Sequence, residues 1–221
     1  MNNLLLTRST RYFYFGEQMN YEITEVGNIL KAPTQGTGLI TGVAFNSQQV
    51  TTGDLFVALV MDNDGHNYIQ NALDNGAVAV LVDNKHVINT EIPAIIVDDT
   101  LIALQQLGEH QRNQINPTVI AITGSNGKTT TKDMLFSIMA TTYRTFKTPE
   151  NFNNEIGVPM TLLMMPEDTE VLVVELGMDR PGQLAILSRL VKPDVAVITM
   201  IGEAHIEFFK TRANIARAKL E

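Results

Sequence analysis

The run Thr118-Val-Ile-Ala-Ile-Thr123 leads directly into Gly124-Ser-Asn-Gly-Lys-Thr-Thr130, and no other stretch constrains the fold as tightly. The apolar and β-branched run predicts a buried strand, the glycines a tight turn, and the residues from Lys128 a helix. A helix start carries unpaired backbone N–H groups and the positive end of a dipole, which together attract phosphate. Gly124 and Gly127 let the backbone approach an anion with no Cβ in the way. Ser125 and Asn126 complete the turn, Lys128 adds a mobile positive charge, and Thr129, followed by Thr130, brings a hydroxyl suited to Mg²⁺. The spacing is shorter than the usual phosphate loop, with Ile122 where a glycine would stand five residues before Gly127. A bare Gly-x-x-Gly-Lys could be an ordinary turn with a surface lysine. The strand in front of it favours phosphate binding and a nucleoside triphosphate ligand.

The 221 residues, 44% hydrophobic and 18% charged, suit one large or two small globular domains. With 16 basic against 24 acidic residues the net charge is −8. Basic residues do not cluster, so no nucleic-acid partner is expected, and a polyanionic ligand needs a local positive site. There are no cysteines, which removes disulfides and thiolate chemistry and is compatible with the cytoplasm. No apolar run reaches the ~20 residues of a bilayer span, so no membrane insertion is expected. Leu4-Leu-Leu6 is shorter than a signal-peptide core. Residues 1–18 are read as an unstructured extension, with Met19 as the natural start.

From Leu39 to Asp99 the pattern is strand-rich. Strands are expected at Leu39–Phe45, Asp54–Val60, Ala77–Val82 and Ala94–Val97, with helices over Tyr21–Leu30, His66–Asn75 and Thr100–Gln114. Pro117 marks a domain boundary, giving domains at 19–116 and 117–221. Beyond it, strands Val119–Thr123, Val171–Glu175 and Asp194–Thr199 alternate with helices Lys128–Ala140, Glu155–Leu163 and Gln183–Val191. That alternation is the mark of a parallel sheet wrapped by helices. Ligands in such sheets bind beyond the carboxyl ends of the strands, which places Glu175 and His205 on the rim that holds Lys128. A carboxylate and an imidazole beside a triphosphate suit Mg²⁺ ligation. Taken singly, Glu175 reads as a solvated loop acid and His205 as polar surface; their convergence on one rim favours the site.

Thr123–Thr130 resembles the ATP loop of the Mur ligases. Four further segments carry the likeness: Asn151-Phe-Asn-Asn-Glu-Ile-Gly-Val-Pro159, Glu175-Leu-Gly-Met-Asp-Arg-Pro-Gly182, Ile201-Gly-Glu-Ala-His-Ile-Glu-Phe208 and Ile215-Ala-Arg-Ala-Lys-Leu-Glu221. Gly53-Asp-Leu-Phe-Val57 and Asp64-Gly-His66 are similar to the family's N-terminal substrate domain. The resemblance implies an α/β chain: a small mixed α/β substrate domain, then a phosphate-loop parallel-sheet ATPase domain. It implies ATP and Mg²⁺ as cofactors. The member most resembled adds D-alanyl-D-alanine to UDP-N-acetylmuramoyl-tripeptide through an acyl phosphate. It also implies that Glu175 and His205 hold metal, that Ser47, Asn151 and Asn154 lie at the substrate, and that Lys219 becomes a carbamate. Asn154 equally suits a plain helix cap, and Lys219 alone reads as an exposed lysine.

The family's usual Asp-Ser-Arg is Asn46-Ser47-Gln48 here, which removes the arginine grip on a diphosphate, and Met61 replaces an expected glycine. The chain reads as ending inside the ATPase domain, without the family's C-terminal domain. An open sheet edge, weak ATP binding, little ligation and aggregation are therefore expected. Another ligase of the superfamily, or a non-catalytic nucleotide- or UDP-sugar-binding remnant, are the alternative readings.

Overall fold

The computed structural model describes residues 19–86, 91–204 and 206–221. The proposed extension 1–18 and His205 lie outside them. Two parallel sheets organise the chain. The first has five strands in the order β2-β7-β6-β5-β4, namely β2 Thr34–Gln35, β4 Gly42–Ala44, β5 Asp54–Val57, β6 Ala79–Asp83 and β7 Ala94–Val97. Only β2 runs antiparallel to its neighbour. A short antiparallel pair, β1 Tyr21–Glu22 with β3 Leu39–Ile40, lies apart from this sheet. The helix expected from Tyr21 therefore begins later, as α1 Ile23–Leu30, because Tyr21 and Glu22 are drawn into that pair. The expected strand Leu39–Phe45 is likewise divided between β3 and β4.

The second sheet has the order β11-β8-β10-β9, all parallel. Its strands are β8 Thr118–Thr123, β9 Thr145–Lys147, β10 Val171–Glu175 and β11 Val195–Ile198. Every residue of β10 is buried, as expected of a strand covered on both faces. β8 has β10 on one side and β11 on the other. The carboxyl ends of all three thus meet where the chain order reverses, the usual ligand crevice of such sheets. β11 is an open edge, and its Val195 is 49% exposed.

Helices α2 Ile69–Asp74, α3 Thr100–Ile115, α4 Lys128–Met139, α5 Gly157–Leu163, α6 Gln183–Val191, α7 Ile206–Phe209 and α8 Arg212–Lys219 complete the fold. α3 precedes the expected boundary at Pro117 yet packs on α5 and α6. Gly108 makes this possible, since a Cβ there would stand 2.9 Å from the Pro159 Cα. Leu104 and Leu107 of α3 share one core with Leu55 and Leu81 of the first sheet and with Met160 and Leu163 of α5. Arg112 is buried; its Nε donates to the Val191 carbonyl at 2.9 Å and Nη2 to the Lys192 carbonyl at 3.1 Å. It thereby satisfies carbonyls at the end of α6 that the helix cannot pair itself. No helix of the described residues is long and apolar enough to cross a membrane.

Candidate nucleotide site

The turn after β8 has the conformation its glycines permit. Gly124 lies at φ +150° and Gly127 at +82°, the latter in the left-handed region that side chains avoid. Gly127 is the residue before α4, and no side chain caps that helix. By contrast Asp99 caps α3 and Thr211 caps α8 with their side-chain oxygens. The first N–H groups of α4 are thus left to an outside acceptor. Thr123 Oγ is buried without a hydrogen-bond partner among the described residues, a polar atom awaiting one.

The loop is held from the chain beyond β11. Ser125 N–H donates to the Met200 carbonyl at 2.8 Å, and Gly202 N–H donates to Ser125 Oγ at 2.9 Å. Ser125 is buried while Asn126, Gly127, Thr129 and Thr130 are exposed. Lys128 is half-buried, and its ammonium donates to the Gly124 carbonyl at 2.9 Å.

Glu175 ends β10 and is only 3% exposed, so the plain reading as a solvated loop acid is corrected. Its Oε2 accepts the Thr129 hydroxyl at 3.0 Å, and its Oε1 accepts Asn153 Nδ2 at 2.8 Å. Its backbone N–H donates to Thr148 Oγ at 2.8 Å. Lys132, one helical turn beyond Thr129 and also buried, holds its ammonium 3.9 Å from Glu175 Oε2. A cavity of about 130 Å³ opens here, lined by Thr129, Lys132, Lys147, Thr148 and Glu150 among others.

Lys219 likewise departs from its plain reading. Taken alone it reads as an exposed lysine, whereas it is 8% exposed on α8. Burial, and then the charge of Lys128, push its ammonium down to about 8. Within a chain of charge −8, Lys128, Lys132 and Lys219 bring three lysines to this corner beside the Glu175 carboxylate, the local cations a polyphosphate requires.

The remaining expected residues divide. Asn154 Oδ1 accepts the N–H groups of Ile156 at 3.2 Å and Gly157 at 2.8 Å. Its side chain therefore serves the start of α5, and that start falls later than the expected Glu155. Asn151 is exposed, with its carbonyl accepting Asn153 N–H at 2.7 Å. Ser47 is buried at the start of a 3-10 turn, Ser47–Gln49, between β4 and β5, and its carbonyl accepts Asn75 Nδ2 at 2.8 Å. Lys132, Thr148 and Asn153 were not picked out by sequence. Asn153 was available in the Asn151–Asn154 run, but spacing alone does not say which of its asparagines reaches Glu175.

A second polar cluster lies at the carboxyl ends of β5 and β6. Asp64 Oδ1 accepts His66 Nδ1 at 2.7 Å, and His66 Nε2 accepts Asp83 N–H at 3.1 Å. His86 stacks on His66 at 3.7 Å, with Nδ1 2.7 Å from Asp83 Oδ1 and Nε2 3.1 Å from Asp64 Oδ2. Asp64, His66 and His86 offer atoms close enough together for a metal ion. The His66 bonds, however, leave it no free lone pair, and a metal cannot lie in two ring planes that are stacked. This is a hydrogen-bonded proton site. The Asp83 bond, then the Asp83 and Asp64 charges, outweigh burial and raise the His86 imidazole above its ordinary value. The backbone and side-chain bonds from His66 hold Asp64 below the usual carboxylate range.

Residues 122–221 match the family model of the Mur ligase middle domain. Over 198 residues the chain is 46% identical to the UDP-N-acetylmuramoyl-tripeptide–D-alanyl-D-alanine ligase of Bacillus subtilis, covering 89% of this chain and 43% of that protein. The chain belongs to the Mur ligase family. Among solved structures, MurF from Acinetobacter baumannii superposes with a TM-score of 0.84 at 36% identity, covering 92% of this chain and 46% of that one. MurF ligase from Thermotoga maritima, solved in complex with ADP, superposes with a TM-score of 0.74 at 38% identity, covering 81% of this chain and 42% of that one. The chain thus spans less than half the length of these Mur ligases.

Proposed function

We propose that this chain is the substrate-binding and nucleotide-binding portion of an ATP-dependent ligase of peptidoglycan precursor synthesis, working in the cytoplasm. The reaction joins D-alanyl-D-alanine to UDP-N-acetylmuramoyl-tripeptide. The observation that carries this reading is the Thr129–Glu175 hydrogen bond, made beside the uncapped start of α4. It joins a hydroxyl to a buried carboxylate beside that helix start, which supports reading the pair as the place where the phosphates of a nucleotide would meet their counter-ion. The relatives named above support the choice of reaction.

In this reading residues 19–116 take the UDP-sugar peptide and residues 117–221 take ATP. Gly124, Asn126, Gly127 and Thr130 wrap the phosphates with backbone N–H groups, Ser125 braces the loop through its bonds to Met200 and Gly202, and Lys128 leaves the Gly124 carbonyl to pair with the phosphates. The γ-phosphoryl passes to the tripeptide carboxylate and ADP departs. The amine of D-alanyl-D-alanine then attacks the acyl carbon, and inorganic phosphate leaves. Such transfers are catalysed chiefly by positioning and charge neutralisation. Mg²⁺ fits the donor set, with Thr129 and Glu175 as its holders and His205 added by family resemblance; bound there, it neutralises charge on the phosphate oxygens. Ser47 and Asn151 are assigned to substrate by the same resemblance. For Asn154 the cap it makes to α5 favours a structural role.

Lys219 is read as the lysine that becomes a carbamate. Carbon dioxide adds only to a neutral amine, with loss of one proton, and an ammonium pushed down to about 8 supplies that amine near neutral pH. ¹³C-bicarbonate labelling should give a carbamate carbonyl signal that Lys219→Met removes. The whole reading is tested by calorimetry with Mg²⁺–ADP and with the UDP-tripeptide. Saturable binding of the nucleotide that Lys128→Met weakens supports it, and no binding by the unaltered chain overturns it. Asn46-Ser47-Gln48 offers no cation to a diphosphate, and that favours one alternative, a module that binds nucleotide without ligating. Phosphate release dependent on both substrates separates the two.

A further inference from the structure

We infer that Thr199, immediately after β11, is the positioning residue that holds the phosphate loop in its anion-binding shape; this rests on the nucleotide reading above. Its hydroxyl lies 2.6 Å from the Asn126 carbonyl and 3.2 Å from the Thr123 carbonyl. Its backbone N–H also donates to the Thr123 carbonyl, at 3.0 Å. One residue from outside the loop therefore grips both ends of the Thr123–Asn126 segment, its single hydroxyl proton going to the nearer Asn126 carbonyl and its backbone N–H to the Thr123 carbonyl.

The consequence follows from peptide geometry. Across a trans peptide the C=O and the next N–H point in opposite directions. Fastening the Asn126 carbonyl to Thr199 turns the Gly127 N–H the other way, and fastening the Thr123 carbonyl does the same for the Gly124 N–H. A loop carbonyl turned toward a phosphate would repel it, whereas an N–H attracts it. Thr199 thus selects the attractive peptide orientation before any ligand arrives, which lowers the cost of ordering the loop on binding. Gly124 fits this account. A Cβ there would fall 1.9 Å from Thr199 Oγ, so the space that a side chain would fill holds the hydroxyl instead.

Thr199→Val keeps the side chain's bulk and removes its proton donor; Thr199→Ser keeps the donor. ADP titrations of the full chain, with Mg²⁺ and with EDTA, give the test. The expected result is a loss of about tenfold for Val, roughly one net hydrogen bond. The loss should be equal with and without metal, because the loop grips phosphate directly, and Ser should bind as the unaltered chain does. Glu175→Gln, by contrast, should lower only the metal-dependent part. If Thr199→Val unfolds the chain, Thr199→Ala against Thr199→Ser carries the same comparison. Unaltered affinity in both Val and Ala variants would overturn the role of Thr199 while leaving the nucleotide reading intact. A loss confined to the Mg²⁺ titration would overturn it equally. Failure of the unaltered chain to bind ADP would instead sink the reading beneath it.

Discussion

The rims of the two parallel sheets use similar residues to opposite ends. On the second sheet the start of α4 is uncapped and Thr123 Oγ has no partner among the described residues. On the first sheet the polar groups close on themselves: Asn46 accepts Gln48 N–H, Asp64 accepts His66 N–H, and His66 and His86 share two carboxylates. A polar motif at the end of a parallel strand is therefore not yet a ligand site. What separates the two rims is the number of donors left unspent.

Gly124→Ala breaks the open rim most severely, because the new Cβ collides with Thr199. ADP affinity is expected to fall by at least about 100-fold, or ~2.7 kcal/mol, while circular dichroism stays unchanged. Lys128→Met removes one charged partner of the phosphates and should cost about tenfold in the same titration. Asn154→Ala tests whether that asparagine belongs with the spent groups. Loss of the α5 cap predicts about 1 kcal/mol of stability in urea unfolding and unaltered nucleotide affinity.

The smallest effect is a pH dependence on the closed rim. His86 faces Asp64 and Asp83 and stacks on His66, and its folded-state value lies above the ordinary 6.5. A raised value means that the cluster's contribution to stability is fully present below about pH 6.5. It is lost as pH rises through the folded-state value. His86→Asn should flatten that slope in denaturation curves taken across this range. An unaltered slope would show that the cluster carries no proton linkage.

The second sheet was legible because strands buried on both faces are written as unbroken apolar runs; Val171–Glu175 needed no correction. β9 was not, since Thr145-Phe-Lys147 has one apolar residue and no period to detect. The loop could be read from its glycines, whose backbone demands are local. The burial of Lys132 and Lys219 could not, although the resemblance singled out Lys219. Burial of a lysine depends on what packs over it, and neither helix pattern marks them as inward. The Glu175 partners were half legible: the asparagine run pointed to the right segment, but the choice among its members is made in three dimensions. Thr199 carried no mark beyond ending a strand.

Helix α3 has a consequence for how the molecule comes apart. Gly108 lies against Pro159, Arg112 closes the end of α6, and Leu104 shares a core with residues of both halves. Neither half can shed that helix without exposing apolar surface in the other. Heat should accordingly melt the two sheets in a single cooperative step, with Asn116–Pro117, despite its proline, acting as a splice between them.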